Sequence, residues 1–138
     1  VGTAAIQLAN YYNAEITAIC SSQGQKLTSE LGVSNIILYD REDFTKRTEK
    51  YDIVFDAVGT VNRKQCEKLL NRNGIFKTVN TYAPETIRQL QLLKELFEKK
   101  AMKAVIDKTF HMNEVIEAHR YVESGRKKGN VVLKIRES

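Results

Sequence analysis

The sequence predicts an α/β fold built on a doubly wound parallel sheet. Three observations predict it. Short β-branched runs alternate with amphipathic helical stretches along the whole chain. Several of those runs are apolar without a break, which is the pattern of strands covered on both faces. The alternation carries no second strand-only or helix-only block, so helices belong on both faces of one sheet. The 138 residues suit one domain with a real core.

The elements follow in order. Val1, Ala4, Ala5, Leu8 and Tyr12 recur at helical spacing and predict an opening helix with its apolar side on a core. Gly2 sits at the start of that helix, where a phosphate-binding turn needs a close backbone and free N–H groups. In a doubly wound sheet such a turn follows a strand, and here none precedes it. The chain therefore reads as truncated at its N-terminus, with the first strand absent, or Gly2 is only a helix cap. Residues 15–20 predict a strand, and 25–31 a short helix stopped by Gly32. Residues 35–39 form a continuous apolar run, hence a buried strand, followed by a polar stretch over 43–50. Residues 51–56 predict another buried strand ending at Val58-Gly59, and 61–70 a helix. Asn73-Gly74 reads as a tight turn before a strand over 75–79. Pro84 suits the first turn of a helix whose stripe is Ile87, Leu90, Leu93 and Phe97. A short strand over 104–106, a helix over 113–124 capped by Gly125, and a closing strand over 130–135 complete the reading.

Composition excludes several classes. No stretch approaches the roughly 20 apolar residues of a membrane-spanning helix, and the opening residues lack the basic and cleavage regions of a secretory signal. Net charge is +5, but the basic residues are not interleaved with aromatics on one face, so no nucleic-acid partner is expected. A phosphorylated small molecule accounts for that charge more simply. Two cysteines, Cys20 and Cys66, lack metal-like spacing and read as reduced thiols in a cytoplasmic protein. His111 and His119 have no partners for a metal site, and His119 reads as a semi-buried histidine on the apolar side of its helix. No catalytic constellation is visible.

Ligands of such sheets bind beyond the carboxyl ends of the strands. The candidates there are Ser21 and Ser22, Tyr39 to Arg41, Val58 and Gly59, and Asn80 and Thr81. An acidic residue ending the 15–20 strand would bind the ribose hydroxyls of NAD and repel a 2′-phosphate. Cys20-Ser21-Ser22-Gln23 stands there instead, with Lys26 and Arg41 nearby, which favours NADP. Ser21 and Ser22 also suit a helix cap. Tyr39 either flanks the adenine ribose or is an amphipathic edge residue. Gly59 either lets backbone pass close to a ligand or makes the strand-to-helix turn.

Taken in order, the stretches 1–9, 31–33, 51–59, 105–110 and 118–133 resemble the C-terminal half of medium-chain dehydrogenase/reductases, on the zinc-free quinone oxidoreductase-like (zeta-crystallin-like) branch. The resemblance covers nearly the whole chain. It implies a Rossmann-like, nicotinamide-dinucleotide-binding domain over residues 1–138, and a parent oxidoreductase that passes hydride from NADP(H) to quinones or activated double bonds. It further implies that Val1 and Gly2 end a pyrophosphate turn, that Ser21, Ser22 and Tyr39 surround the 2′-phosphate, and that Val58 and Gly59 line the cofactor cleft. The resemblance also implies that Asn130, near the closing strand, approaches the cofactor. The family's N-terminal substrate domain has no counterpart here, so this chain alone is expected to be inactive. The expected partners are a small-molecule substrate and further copies of the chain, a homo-oligomer; neither membrane nor nucleic acid is expected. Two other readings stay open: a non-catalytic nucleotide-binding or oligomerisation module with this fold, and another doubly wound nucleoside-binding fold such as a methyltransferase.

Overall fold

The computed structural model describes residues 1–136. Helix α1 (Gly2–Tyr11) leads into three parallel strand–crossover–strand units. The first is β1 (Thr17–Cys20), α2 (Gln25–Glu30) and β2 (Asn35–Leu38). The second is β3 (Tyr51–Asp56), α3 (Arg63–Cys66) and β4 (Leu70–Thr78). Helix α4 (Ile87–Glu98) leads to the third, β5 (Ile106–His111), α5 (Val115–Glu123) and β6 (Asn130–Lys134). Strand β1 pairs with β2, β3 with β4 and β5 with β6, every pair parallel. Among the described residues the ladders join strands only within these pairs, so the predicted parallel architecture takes the form of three two-stranded sheets.

The chain divides into two compact units, residues 1–102 and residues from Lys103 onward. In the first, Val33, Ile37, Cys66, Leu69, Leu70, Leu96 and Met102 are buried. In the second, Phe110 and Ala118 are buried. There Tyr121 Oη–H and the Lys128 N–H both donate to the Asp107 carboxylate, tying α5 and the loop before β6 to β5. Asp107 sits where the β5–β6 register shifts, between Ile106↔Asn130 and Lys108↔Val131.

Several sequence expectations need correction. In α1 the buried residue is Gln7, whose Nε2 donates to the Thr3 carbonyl, while Val1, Ala4 and Tyr12 are exposed. Ala5, Ile6 and Leu8 are half-buried, so the packed side takes in part of the predicted stripe but not its ends. Residues 71–74 form a bulge within β4 rather than a tight turn before it. Tyr51 pairs with Leu70 and Ile53 with Ile75, so extra residues of β4 sit opposite one step of β3. Pro84 lies outside α4. The helix starts instead at a capping box, in which Gln89 N–H donates to Thr86 Oγ1 and Thr86 N–H to Gln89 Oε1. Strand β5 begins at Ile106 and runs to His111, later and longer than the apolar run alone suggests. His119 is exposed; Ala118 supplies the buried position of α5.

Two helix endings match expectation. Gly32 follows α2 at φ +88° and Gly125 follows α5 at φ +69°, both in the left-handed region that glycine enters without a Cβ clash. Asn13 serves the same role after α1 at φ 55°. Ile53, Phe55 and Ile75 leave one face of β3–β4 open, and Ile87, Leu90, Leu93 and Phe97 leave the stripe of α4 largely exposed.

Candidate functional site

The candidate residues of the first unit gather at the carboxyl ends of its strands, in two corners. The first corner joins α1 to the end of β3. A Cβ built on Gly2 would lie 3.6 Å from the Ala57 Cβ, so the start of α1 runs close beside the residue that follows β3. Val1 makes no side-chain cap; the Ala4 N–H donates to the Val1 carbonyl, while the N–H groups of Gly2 and Thr3 have no intrahelical acceptor. The beginning of α1 is thus an uncapped, partially positive helix end.

Asp56 shapes the loop beside it. Its carboxylate is buried, at 8% exposure, and accepts from three backbone N–H groups: Val58 and Gly59 at 2.9 Å and Val61 at 3.0 Å. Burial pushes the carboxyl up, but the N–H groups of Val61, Val58, Gly59 and Thr60 together outweigh it and hold it below its ordinary value. The carboxylate therefore stays charged and clamps the chain reversal after β3. Gly59 completes the turn at φ +85°, a conformation strained for any residue with a Cβ. The Asn80 amide covers Gly59 from the end of β4; a Cβ there would lie 2.6 Å from Asn80 Nδ2. Val58 itself is 76% exposed, held by its backbone and open at its side chain. Cys66 lies buried nearby; burial and the Asp56 charge both raise its pKa, so it is an inert thiol rather than a nucleophile.

The second corner joins the ends of β1 and β2. The ladder carries Cys20 opposite Leu38 and is extended by a bond from Tyr39 N–H to the Cys20 carbonyl. Two residues further on each strand, Ser22 meets Asp40. The Ser22 N–H donates to both carboxylate oxygens, at 3.0 and 3.1 Å, and Ser22 Oγ–H donates to Oδ1 at 3.1 Å. Arg41 Nε–H donates in turn to Ser22 Oγ at 3.1 Å. The backbone N–H of Ser22 is the main reason that the Asp40 carboxyl titrates below its ordinary range. Ser21 precedes the short 3₁₀ turn at Ser22–Gly24 but makes no side-chain capping bond. The capping role open to these serines is therefore not the one either side chain plays. Tyr39 is 58% exposed beside this corner. Lys26 pairs instead with Glu30, at 3.9 Å on the exposed side of α2.

Asn130 belongs to the second unit, where it opens β6. It is exposed, and its N–H donates to the Val105 carbonyl at 2.7 Å. Sequence reasoning placed Asp40 among the strand-end candidates but gave it no role, and it missed the clamp role of Asp56. The role of Asp40 was legible only through register, since the residue two past Leu38 lies level with the residue two past Cys20. An open groove of about 570 Å³, lined by Thr45, Lys46, Arg47, Thr48, Lys50 and Lys68, lies at the amino ends of β3 and β4 and so away from both corners. Among the described residues no group of three or more His, Cys, Asp or Glu is arranged to hold a metal.

Parallel βαβ units with polar corners at the carboxyl ends of their strands define a Rossmann-like α/β protein. Comparison with known proteins narrows this. A family model described as zinc-binding dehydrogenase matches residues 78–133. A 2-methylene-furan-3-one reductase of Solanum lycopersicum is 32% identical over 96% of this chain and 37% of its own length. A chloroplastic NADPH-dependent alkenal/one oxidoreductase of Arabidopsis thaliana is 29% identical over 96% of this chain and 37% of its own. The quinone oxidoreductase structure from Coxiella burnetii superposes with a TM-score of 0.84 at 24% identity, covering 99% of this chain and 50% of that one. The chain is thus similar over nearly its whole length to reductases of this kind, and over residues 78–133 it matches the zinc-binding dehydrogenase family. It spans well under half the length of these two curated relatives.

Proposed function

We propose that this chain is the cofactor-binding portion of an NADP(H)-dependent oxidoreductase that reduces quinones or activated double bonds. The observation that carries the reading is the Ser22 corner. Its backbone N–H and hydroxyl already hold a carboxylate, which makes it a receptor for an oxyanion at the place where a 2′-phosphate is expected. Arg41 adds a guanidinium to the same corner. The names of the relatives, an NADPH-dependent enone-type oxidoreductase and a furanone reductase, support the same chemistry.

In this reading the start of α1 at Val1 and Gly2 takes the pyrophosphate, because the Gly2 and Thr3 N–H groups have no acceptor within the helix and Gly2 puts no side chain over its backbone. Asp56 holds the Val58-Gly59 turn so that backbone rather than side chain lines the cleft. Tyr39 offers an exposed ring beside the adenine ribose. The cofactor, when bound, supplies the hydride; the residues of this chain bind and orient it. As the family resemblance implies, transfer needs no zinc. The two free thiols suit a reducing compartment such as the cytoplasm.

The test is direct. NADPH is expected to change the tyrosine fluorescence of the chain, which contains no tryptophan, and S-adenosylmethionine is not. The longer protein that carries this sequence is expected to consume NADPH when given a quinone or an α,β-unsaturated ketone, with or without a chelator. Cofactor binding without turnover in that longer protein would favour a non-catalytic module; no binding of either nicotinamide cofactor would overturn the proposal.

A further inference from the structure

Ser22 has two donors to offer an incoming phosphate, its N–H and its hydroxyl. Both are spent on the Asp40 carboxylate. Its oxygen also accepts from Arg41 Nε–H. A 2′-phosphate entering this corner must break the Ser22–Asp40 bonds and then lie beside a displaced carboxylate of like charge. A ribose 2′-hydroxyl meets no such barrier. It is itself a donor, and an ionised carboxylate has lone pairs to spare beyond those Ser22 uses.

We infer that Asp40 determines how this corner discriminates between a 2′-phosphate and a 2′-hydroxyl. The inference rests on the nucleotide reading above and deepens it. The carboxylate is an internal occupant of the oxyanion receptor. It tolerates the unphosphorylated cofactor and penalises the phosphorylated one, so the chain accepts both more evenly than its serines and arginine alone would dictate. This is discrimination by a repulsive element rather than by a missing contact. Asp40 is exposed, and its bonds lie within two polar loops, so removing it leaves the packed core untouched.

The experiment compares 2′,5′-ADP with 5′-AMP as probes of the subsite, and NADPH with NADH as whole cofactors. Dissociation constants are measured by titration calorimetry for the wild-type chain and for Asp40→Ala, Asp40→Asn and Asp40→Ala combined with Ser22→Ala. Removing one like charge a few ångströms from the phosphate is expected to raise the preference for 2′,5′-ADP over 5′-AMP by about tenfold. Asp40→Asn is expected to give a smaller rise, because its amide keeps an acceptor on Ser22. Adding Ser22→Ala is expected to reverse most of the gain. Binding of both cofactors with a phosphate preference unchanged in Asp40→Ala overturns the inference and leaves the nucleotide reading standing. Failure of every variant to bind any of the four probes overturns both.

Discussion

The corners at the ends of β2 and β3 use the same chemistry to opposite ends. Each has an aspartate whose carboxylate collects backbone N–H donors, and each aspartate is held below its ordinary pKa by them. Asp56 collects its donors from the five residues that follow it in sequence and is buried while doing so. Asp40 reaches across to the neighbouring strand and is exposed. The difference is what a competitor can do. Nothing from solvent replaces Asp56, because its donors face inward and would be orphaned. Water or an uncharged ligand oxygen replaces Asp40 at little cost, because its donors already border solvent, whereas an anion also meets the displaced charge. A buried carboxylate is a fastener; an exposed one with the same bonds is a replaceable occupant.

The largest expected effect of breaking that contrast is on stability. Asp56→Ala strips the acceptor from three N–H groups in a partly buried turn, and the loss is expected to be about 2–3 kcal/mol. Asp40→Ala is expected to leave stability nearly unchanged. Urea denaturation of the two variants side by side reads this directly; equal losses would erase the distinction. Next in size is Gly59→Ala. The residue sits at φ +85°, where a Cβ costs on the order of 1–2 kcal/mol. The close Asn80 amide adds little, since a side-chain end can turn away. A lowered thermal midpoint that Asn80→Ala does not restore is the expected outcome.

The smallest effect is on pH dependence. The Asp56 pKa is lower folded than unfolded, so its contribution is fully present above the unfolded value. It drains away as pH falls through the folded one. Wild type is therefore expected to lose stability relative to Asp56→Asn as pH drops below about 4. Above that the gap between the two is expected to stay constant. Denaturation midpoints measured across the acid range check it, and a gap that widens on acidification would contradict the clamp.

Much of the fold could be read from sequence because its signals are local. The runs at 17–20, 35–38 and 51–56 are β-branched and apolar, and the glycines at 32 and 125 stand where left-handed backbone is needed. The failures arose where a local preference met a tertiary demand. Asn73-Gly74 has turn chemistry, yet the parallel ladder with β3 absorbs it as a bulge. Pro84 suits a helix start, yet Thr86 and Gln89 supply a two-bond cap and take the start from it. That cap was legible, since Thr and Gln stand three apart. At the site, Ser22 and Tyr39 could be chosen because they follow strands. Asp40 could be placed there too, but its role could not be read, because that depends on which residue the neighbouring strand sets level with it.

The pairing of strands in twos has a consequence for how the molecule opens. Each parallel ladder is closed by a single short crossover; β1–β2 and β3–β4 belong to the first compact unit and β5–β6 to the second. Amide exchange is therefore expected to report two protected groups, one for each unit, with separate opening free energies.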